Sequence, residues 1–163
     1  MSQVSVQDEI VVRAPTLDVW EAIESVERHA GWHRFVNEIV GEHELGATCT
    51  CAVSVGKKAG KTTERCVEYA PPHRIAWLIA EDSTGFSRIA SDWHAGFKVA
   101  GGDSGTLVTA WSTFRPRGPV LRLISPVVRR KFHDTHRAIL AALKDAIESQ
   151  NARRNDAAAL GRD

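Results

Sequence analysis

The chain has 163 residues, of which 43% are hydrophobic and 25% charged, and its formal net charge is +1. This length suits one domain with its own core, and the near-neutral charge gives no electrostatic basis for binding nucleic acid. No apolar run approaches the roughly 20 residues that span a bilayer, and no signal-peptide pattern is visible at the N-terminus. We therefore expect a cytoplasmic protein, without integral membrane association, whose three cysteines are reduced.

The first part of the chain predicts one strand followed by two short helices. Apolar and polar side chains alternate over residues 4–12, as in a strand with one buried face, although Asp8 interrupts the apolar side. Apolar residues then recur at helical spacing over residues 15–25. A second short helical segment is expected over residues 26–35, interrupted near Gly31.

The middle of the chain predicts an antiparallel sheet. Short β-branched runs alternate with turn residues, and the connections are short enough to be hairpins. The predicted strands cover residues 36–43, 47–55, 61–70, 73–81, 88–99 and 105–115.

The C-terminal part predicts one long helix over residues 119–148. Pro126 is expected either to kink this helix or to mark a separate first turn. Residues 149–163 are polar and Ala-rich, which favours a flexible tail. One apolar stripe runs along the helix, formed by Phe132, His136, Ile139, Leu140, Leu143 and Ile147.

These elements predict an α+β domain over residues 1–148. A curved antiparallel sheet of about seven strands would wrap around the long C-terminal helix, because this helix carries the longest apolar stripe available to pack on the concave face of the sheet. The two short helices would close one end. The concave face is wider than one helix, so we expect a cavity beside the helix.

Four segments resemble a known superfamily: residues 11–20 (VVRAPTLDVW), Trp32, residues 67–75 (VEYAPPHRI) and residues 105–109 (GTLVT). They resemble the START-like, or SRPBCC, superfamily with the helix-grip fold, also described as polyketide cyclase/dehydrase-like or Bet v 1-like. The resemblance covers about residues 4–148. It implies a cavity for a small hydrophobic molecule such as a lipid, a polyketide or an isoprenoid, but it does not select one activity.

In this superfamily, inward side chains of the sheet and the long helix line the cavity. Alternation along the last strand predicts that Ala110 and Ser112 face inward, whereas the opposite register would place Trp111 in the cavity. The predicted ligand-binding residues are Tyr69, Trp77, Trp93, Phe97, Val108, Ala110, Ser112, Phe114, Phe132, His136, Ile139 and Leu140.

Four polar residues are candidates for acid–base chemistry: Asp8, Tyr69, Ser112 and His136. Asp8 is expected either in the cavity or at a strand edge near solvent, because a buried unpaired carboxylate is costly. His136 is either a hydrogen-bonded core histidine or a partner for the ligand.

We expect no metal and no cofactor. The pair Cys49 and Cys51 would place two sulfurs on one strand face, with Cys66 on a neighbouring strand, but the chain has neither C-x-x-C nor H-E-x-x-H. The histidine pairs at 29/33 and 133/136 lack an obvious third ligand.

Three functions remain open at this stage. The first is a module that binds a small hydrophobic molecule, acting as a monomer or homodimer. The second is a polyketide cyclase or aromatase that promotes aldol closure and dehydration, although the chain has only one tyrosine. The third is a regulatory interaction protein with a vestigial cavity, which would show a filled interior and a large exposed apolar patch.

Overall fold

The sheet has seven strands, and every neighbouring pair is antiparallel. The computed structural model describes residues 3–161, except for the side chains of residues 120–122. The strand order β1-β7-β6-β5-β4-β3-β2 is a meander joined to the N-terminal strand at one edge. The strands are β1 (Val4–Val12), β2 (Val36–Val40), β3 (Thr48–Val55), β4 (Lys58–Ala70), β5 (Arg74–Asp82), β6 (Ala90–Gly102) and β7 (Gly105–Pro116).

Besides a short 3-10 helix at Phe86–Arg88, the described residues form four α-helices: α1 (Thr16–Glu24), α2 (Val26–Trp32), α3 (Gly118–Leu123) and α4 (Ser125–Leu160). The predicted α+β helix-grip fold is confirmed. Pro126 lies in the first turn of α4, after a break at Ile124, so the separate-turn alternative applies and the long helix is not kinked there. None of the helices in the described part of the chain is long and apolar enough to cross a membrane.

The long helix continues past Glu148 to Leu160, where the sequence predicts a flexible tail. Residues 152–160 are exposed, so this last part of the helix has no packing partner. Alanine and arginine are good helix formers, which accounts for the helix without a buried face. Residues 162 and 163 of the predicted tail lie outside the described part.

The apolar stripe of α4 packs on β1 and β7 at one side of the sheet. Its buried members are His136, Ile139, Leu140, Leu143 and Ile147. Polar contacts fix the same seam, since Lys144 Nζ donates to the Val11 carbonyl at 3.0 Å and the Arg13 backbone N–H donates to Glu148 at 2.9 Å. The helix therefore covers one part of the concave sheet face and leaves the rest open.

Strand register aligns the inward side chains in rows across the sheet. One row runs through Trp77, Ala95, Ser112 and Val6, and the next through Ile75, Phe97, Ala110 and Asp8. Residues that pair directly across antiparallel strands share a face. Three small residues, Ala95, Ala110 and Ser112, thus lie together at the middle of this face, which leaves space between the sheet and α4.

The packing of α4 predicts where stability resides. Leu143 is 0% exposed in the main core, whereas Leu160 on the same helix is 79% exposed. We expect Leu143→Ala to lower the free energy of unfolding by about 2–5 kcal/mol, because it removes buried methyl groups and leaves a void. The matched Leu160→Ala should change it by less than about 0.5 kcal/mol. Urea unfolding followed by circular dichroism measures both, and equal losses would contradict the assignment of α4 as the core helix.

Candidate functional site

A cavity of about 220 Å³ lies between α4 and the concave face of the sheet. Its aromatic and aliphatic lining includes Phe35, Trp77, Trp93, Phe97, Phe132 and Ile139. Val55, at the tip of the β3–β4 hairpin, also borders the cavity and is exposed, so the space opens to solvent on this side. The interior is therefore an apolar chamber with an entrance, as small-molecule sites commonly are.

Ala110 and Ser112 of β7 face this chamber. Both are buried, and the Ser112 side chain contacts His136 on α4. Trp111 also borders the cavity, but strand alternation directs its side chain to the other face, where it is only partly buried.

The structure brings eight of the twelve predicted ligand-binding residues to the cavity: Trp77, Trp93, Phe97, Ala110, Ser112, Phe132, His136 and Ile139. The other four, Tyr69, Val108, Phe114 and Leu140, lie outside its lining. Val108 and Leu140 are fully packed in the main core between β7 and α4, and Phe114 stacks on Phe132 in a second cluster. The side chains of Val108, Phe114 and Leu140 are surrounded by packed neighbours, so no cavity space remains beside them.

Tyr69 pairs directly with Ile75 and shares its inward face, but it lies near α1, outside the cavity lining. The register shifts between Cys66 and Glu68, and Tyr69 packs near Trp20 of α1, with its hydroxyl donating to the Glu24 carboxylate. This hydrogen bond, together with partial burial, raises the pKa of Tyr69 to about 12. The phenol therefore closes the helical end of the domain and does not serve the cavity.

Ser112, His136 and Asp8 form a chain that begins at the cavity. The Ser112 hydroxyl lies 2.9 Å from His136 Nε2, and His136 Nδ1 lies 3.3 Å from an Asp8 carboxylate oxygen. The second contact is electrostatic, since His136 Nδ1 makes no hydrogen bond to the described residues. A negative charge beside Nδ1 favours the tautomer with its proton there, so Ser112 donates to Nε2.

Asp8 supports this chain from outside the cavity. It lies between β1 and α4 with its side chain only 10% exposed, and it also accepts a hydrogen bond from His133 Nδ1 at 2.8 Å and pairs with Arg137 at 3.3 Å. These cationic or polar partners compensate the buried carboxylate. Burial lowers the pKa of His136 and the Asp8 charge opposes this, so the imidazole is neutral at pH 7.

The end of the cavity nearest α2 carries a second polar group that sequence analysis does not identify as a unit. Its members are His29, His33, His43, Cys51 and Glu64. His29 and His43 each place Nδ1 2.9 Å from a backbone carbonyl, of Ile23 and Glu24 respectively. Burial lowers the pKa of His29 well below its usual value and that of His33 to about 4, and raises that of Glu64.

Two tryptophans at the cavity hold unused hydrogen-bond donors. The indole N–H groups of Trp77 and Trp93 are buried and contact no acceptor among the described residues. An unpaired buried donor is costly, so these groups would gain from an acceptor atom brought into the cavity.

The sequence matches, over residues 3–148, the protein family described as polyketide cyclase/dehydrase and lipid transport. The chain belongs to this family. The match spans every strand and the packed part of α4, and it confirms the superfamily resemblance of the four sequence segments. No curated protein matches the sequence.

Solved structures with the same fold include an aromatase/cyclase from Streptomyces sp. R1128, with TM-score 0.70 and 19% identity, covering 90% of this chain and 94% of that one. Norcoclaurine synthase from Thalictrum flavum, in complex with dopamine and hydroxybenzaldehyde, has TM-score 0.69 and 11% identity over 91% and 88%. Ara h 8.0201 has TM-score 0.64 and 15% identity over 87% and 98%. At these identities the likeness establishes the fold alone.

The buried histidines predict acid sensitivity. The pKa of His33 is about 4 in the folded protein, against about 6.5 in an unfolded chain. Between these values the unfolded state binds more protons, so the free energy of unfolding should fall as the pH is lowered from about 6.5 to about 4. In His33→Asn, the amide oxygen can still accept the backbone N–H groups of Phe35 and Val36, and we expect a shallower decline.

Urea unfolding at a series of pH values measures this slope. His73→Asn removes an exposed imidazole and serves as the matched control. A slope that is equally reduced in both variants, or unchanged in His33→Asn, would contradict the assignment to His33.

Proposed function

We propose that the protein binds a small aromatic or alicyclic molecule in the cavity between the sheet and α4. The observation that carries the proposal is an open apolar chamber whose lining holds two unpaired indole donors. Membership in a family described as polyketide cyclase/dehydrase and lipid transport supports the same class of ligand. The partly empty interior argues against the alternative of an interaction protein with a vestigial cavity.

The size of the cavity limits the ligand. An apolar cavity of about 150 Å³ holds one benzene ring, so 220 Å³ accommodates on the order of ten non-hydrogen atoms. This fits a one- or two-ring compound, and it excludes a long-chain lipid lying wholly inside. Of the lipid, polyketide and isoprenoid classes, the aromatic polyketide class therefore fits best.

The unpaired indole donors indicate that the ligand also carries a hydrogen-bond acceptor. An indole N–H donates and cannot accept, so Trp77 and Trp93 select for a carbonyl or hydroxyl oxygen. The surrounding side chains, such as Phe97 and Ile139, contact the hydrocarbon part. A ketone on an aromatic ring satisfies both requirements.

Acetophenone and isopropylbenzene test this preference, because they have similar sizes and the same number of non-hydrogen atoms but only the ketone accepts a hydrogen bond. We expect acetophenone to bind roughly three- to tenfold more tightly, the worth of one hydrogen bond. In ¹H–¹⁵N NMR titrations its binding should shift the indole signals of Trp77 and Trp93. Trp77→Phe should reduce the preference.

Two alanine-to-leucine substitutions, one at the cavity and one at the surface, extend this experiment. Ala110→Leu inserts a larger side chain at the cavity, and Ala100→Leu places it at an exposed position of β6. We expect the first to abolish binding and the second to leave it unchanged. Binding that survives Ala110→Leu, or equal affinity for both compounds, would overturn the proposal.

We infer as a second candidate a general-base enzyme of the cyclase type, because a neutral imidazole reaches the same chamber. His136 Nε2 can accept a proton from the carbon next to a ketone, and the Ser112 hydroxyl can turn towards the substrate oxygen. The indole N–H groups would stabilise the enolate oxygen. Asp8, behind the imidazole, would stabilise the imidazolium that forms.

Deuterium exchange tests this activity at its first step. In D₂O, the protein should accelerate exchange of the acetophenone methyl protons, followed by ¹H NMR. His136→Gln should return exchange to the uncatalysed rate, whereas His133→Gln, which removes an imidazole beside Asp8 but outside the cavity lining, should change the rate only a few-fold. Exchange that persists in His136→Gln would exclude His136 as the base.

A further inference from the structure

Three side chains with metal-binding atoms meet at the α2 end of the cavity. Cys49 and Cys51 lie two residues apart on β3 and share a face, and Glu64 on β4 pairs directly with Cys49 across the strands. The two sulfurs and one carboxylate oxygen all lie within 4.8 Å of one another. Both cysteines are free and buried.

The cluster lacks a cationic side chain. Among the described residues, no lysine or arginine pairs with Glu64, whose carboxylate instead accepts a hydrogen bond from Thr62 at 2.8 Å. A carboxylate at the edge of an apolar chamber is costly to bury unless a cation compensates it.

His43 lies outside this 4.8 Å group and is the candidate for a fourth donor atom. It is buried, it lies beside Cys49, and its Nδ1 donates a hydrogen bond to the Glu24 carbonyl at 2.9 Å. This bond fixes the neutral tautomer whose Nε2 carries a free lone pair. Metal-bound histidines are typically oriented in this way by a backbone carbonyl on the other ring nitrogen.

We propose that Cys49 Sγ, Cys51 Sγ, His43 Nε2 and a Glu64 carboxylate oxygen bind one Zn²⁺ ion. Two thiolates, an imidazole and a carboxylate are donors that zinc accepts in tetrahedral sites. Zinc–ligand bonds of roughly 2.0–2.3 Å place neighbouring donors about 3.3–3.8 Å apart, so a contraction of about 1 Å would bring the two sulfurs and the carboxylate oxygen to these distances. The His43 imidazole would move towards them to complete the shell.

The site would join three parts of the fold. Its donors come from β3, from β4 and from the loop before β3, and the loop histidine is bonded to the end of α1. Four protein donors complete the coordination shell, so the ion would act structurally at the end of the cavity. The proposal is independent of ligand binding, which rests on Trp77 and Trp93.

Zinc titration of reduced, chelator-treated protein without a histidine tag tests the site. With a competing chromophoric chelator, we expect one equivalent of Zn²⁺ to bind. Cys49→Ser and Cys51→Ser should each weaken binding by more than about 100-fold, since even outer-shell partners contribute 10- to 100-fold. Cys66→Ser is the matched control, because Cys66 is equally buried but its thiol bonds to the Glu68 carbonyl.

Two further readouts address folding and coordination. Circular dichroism establishes that each variant is folded, and Zn²⁺ should raise the melting temperature of wild type and Cys66→Ser but not of Cys51→Ser. Co²⁺ in place of zinc should give thiolate charge-transfer bands and the visible bands of tetrahedral cobalt. Absence of these bands, a stoichiometry near zero, or equal losses in all three cysteine variants would overturn the proposal.

Discussion

The placement of α4 on β1 and β7 is the constraint on which the rest of the molecule depends. Five buried residues of the helix, from His136 to Ile147, meet the inward side chains of these strands and of α1. The sheet is seven strands wide, so one helix cannot cover its concave face. The cavity follows from this mismatch in width, and the small residues Ala95, Ala110 and Ser112 keep it from being filled.

The cavity is apolar in the middle and polar at two places, and these polar groups are expensive to bury. At α4, Ser112, His136 and Asp8 compensate one another, with Arg137 closing the chain. At the α2 end, Glu64 accepts a hydrogen bond from Thr62, but no lysine or arginine among the described residues pairs with it. In the two proposals made above, the first group would act on a ligand and the second would be compensated by a cation.

Much of the fold could be predicted because periodicity reports directly on burial. The seven strands and the stripe from Phe132 to Ile147 follow from spacing alone. The cavity residues were harder to predict than the strands. Alternation predicts which face of the sheet a side chain lies on, but not whether it lies beside the cavity or beyond its end. Tyr69 shows the limit: it shares the inward face with Ile75, but it lies near α1 with its hydroxyl bonded to Glu24, outside the cavity lining.

The Cys49–Glu64 pair illustrates which signal could have been used. Two cysteines at spacing two already place sulfurs on one face, but the third donor comes from strand pairing and the fourth from a loop. Register across a hairpin is fixed by its turn, and here the two-residue tip of the β3–β4 hairpin pairs Val55 with Lys58. Counting back from this pair brings Glu64 opposite Cys49. Hairpin register, more than residue spacing within one strand, thus carries the information on which clusters of polar side chains form inside a curved sheet.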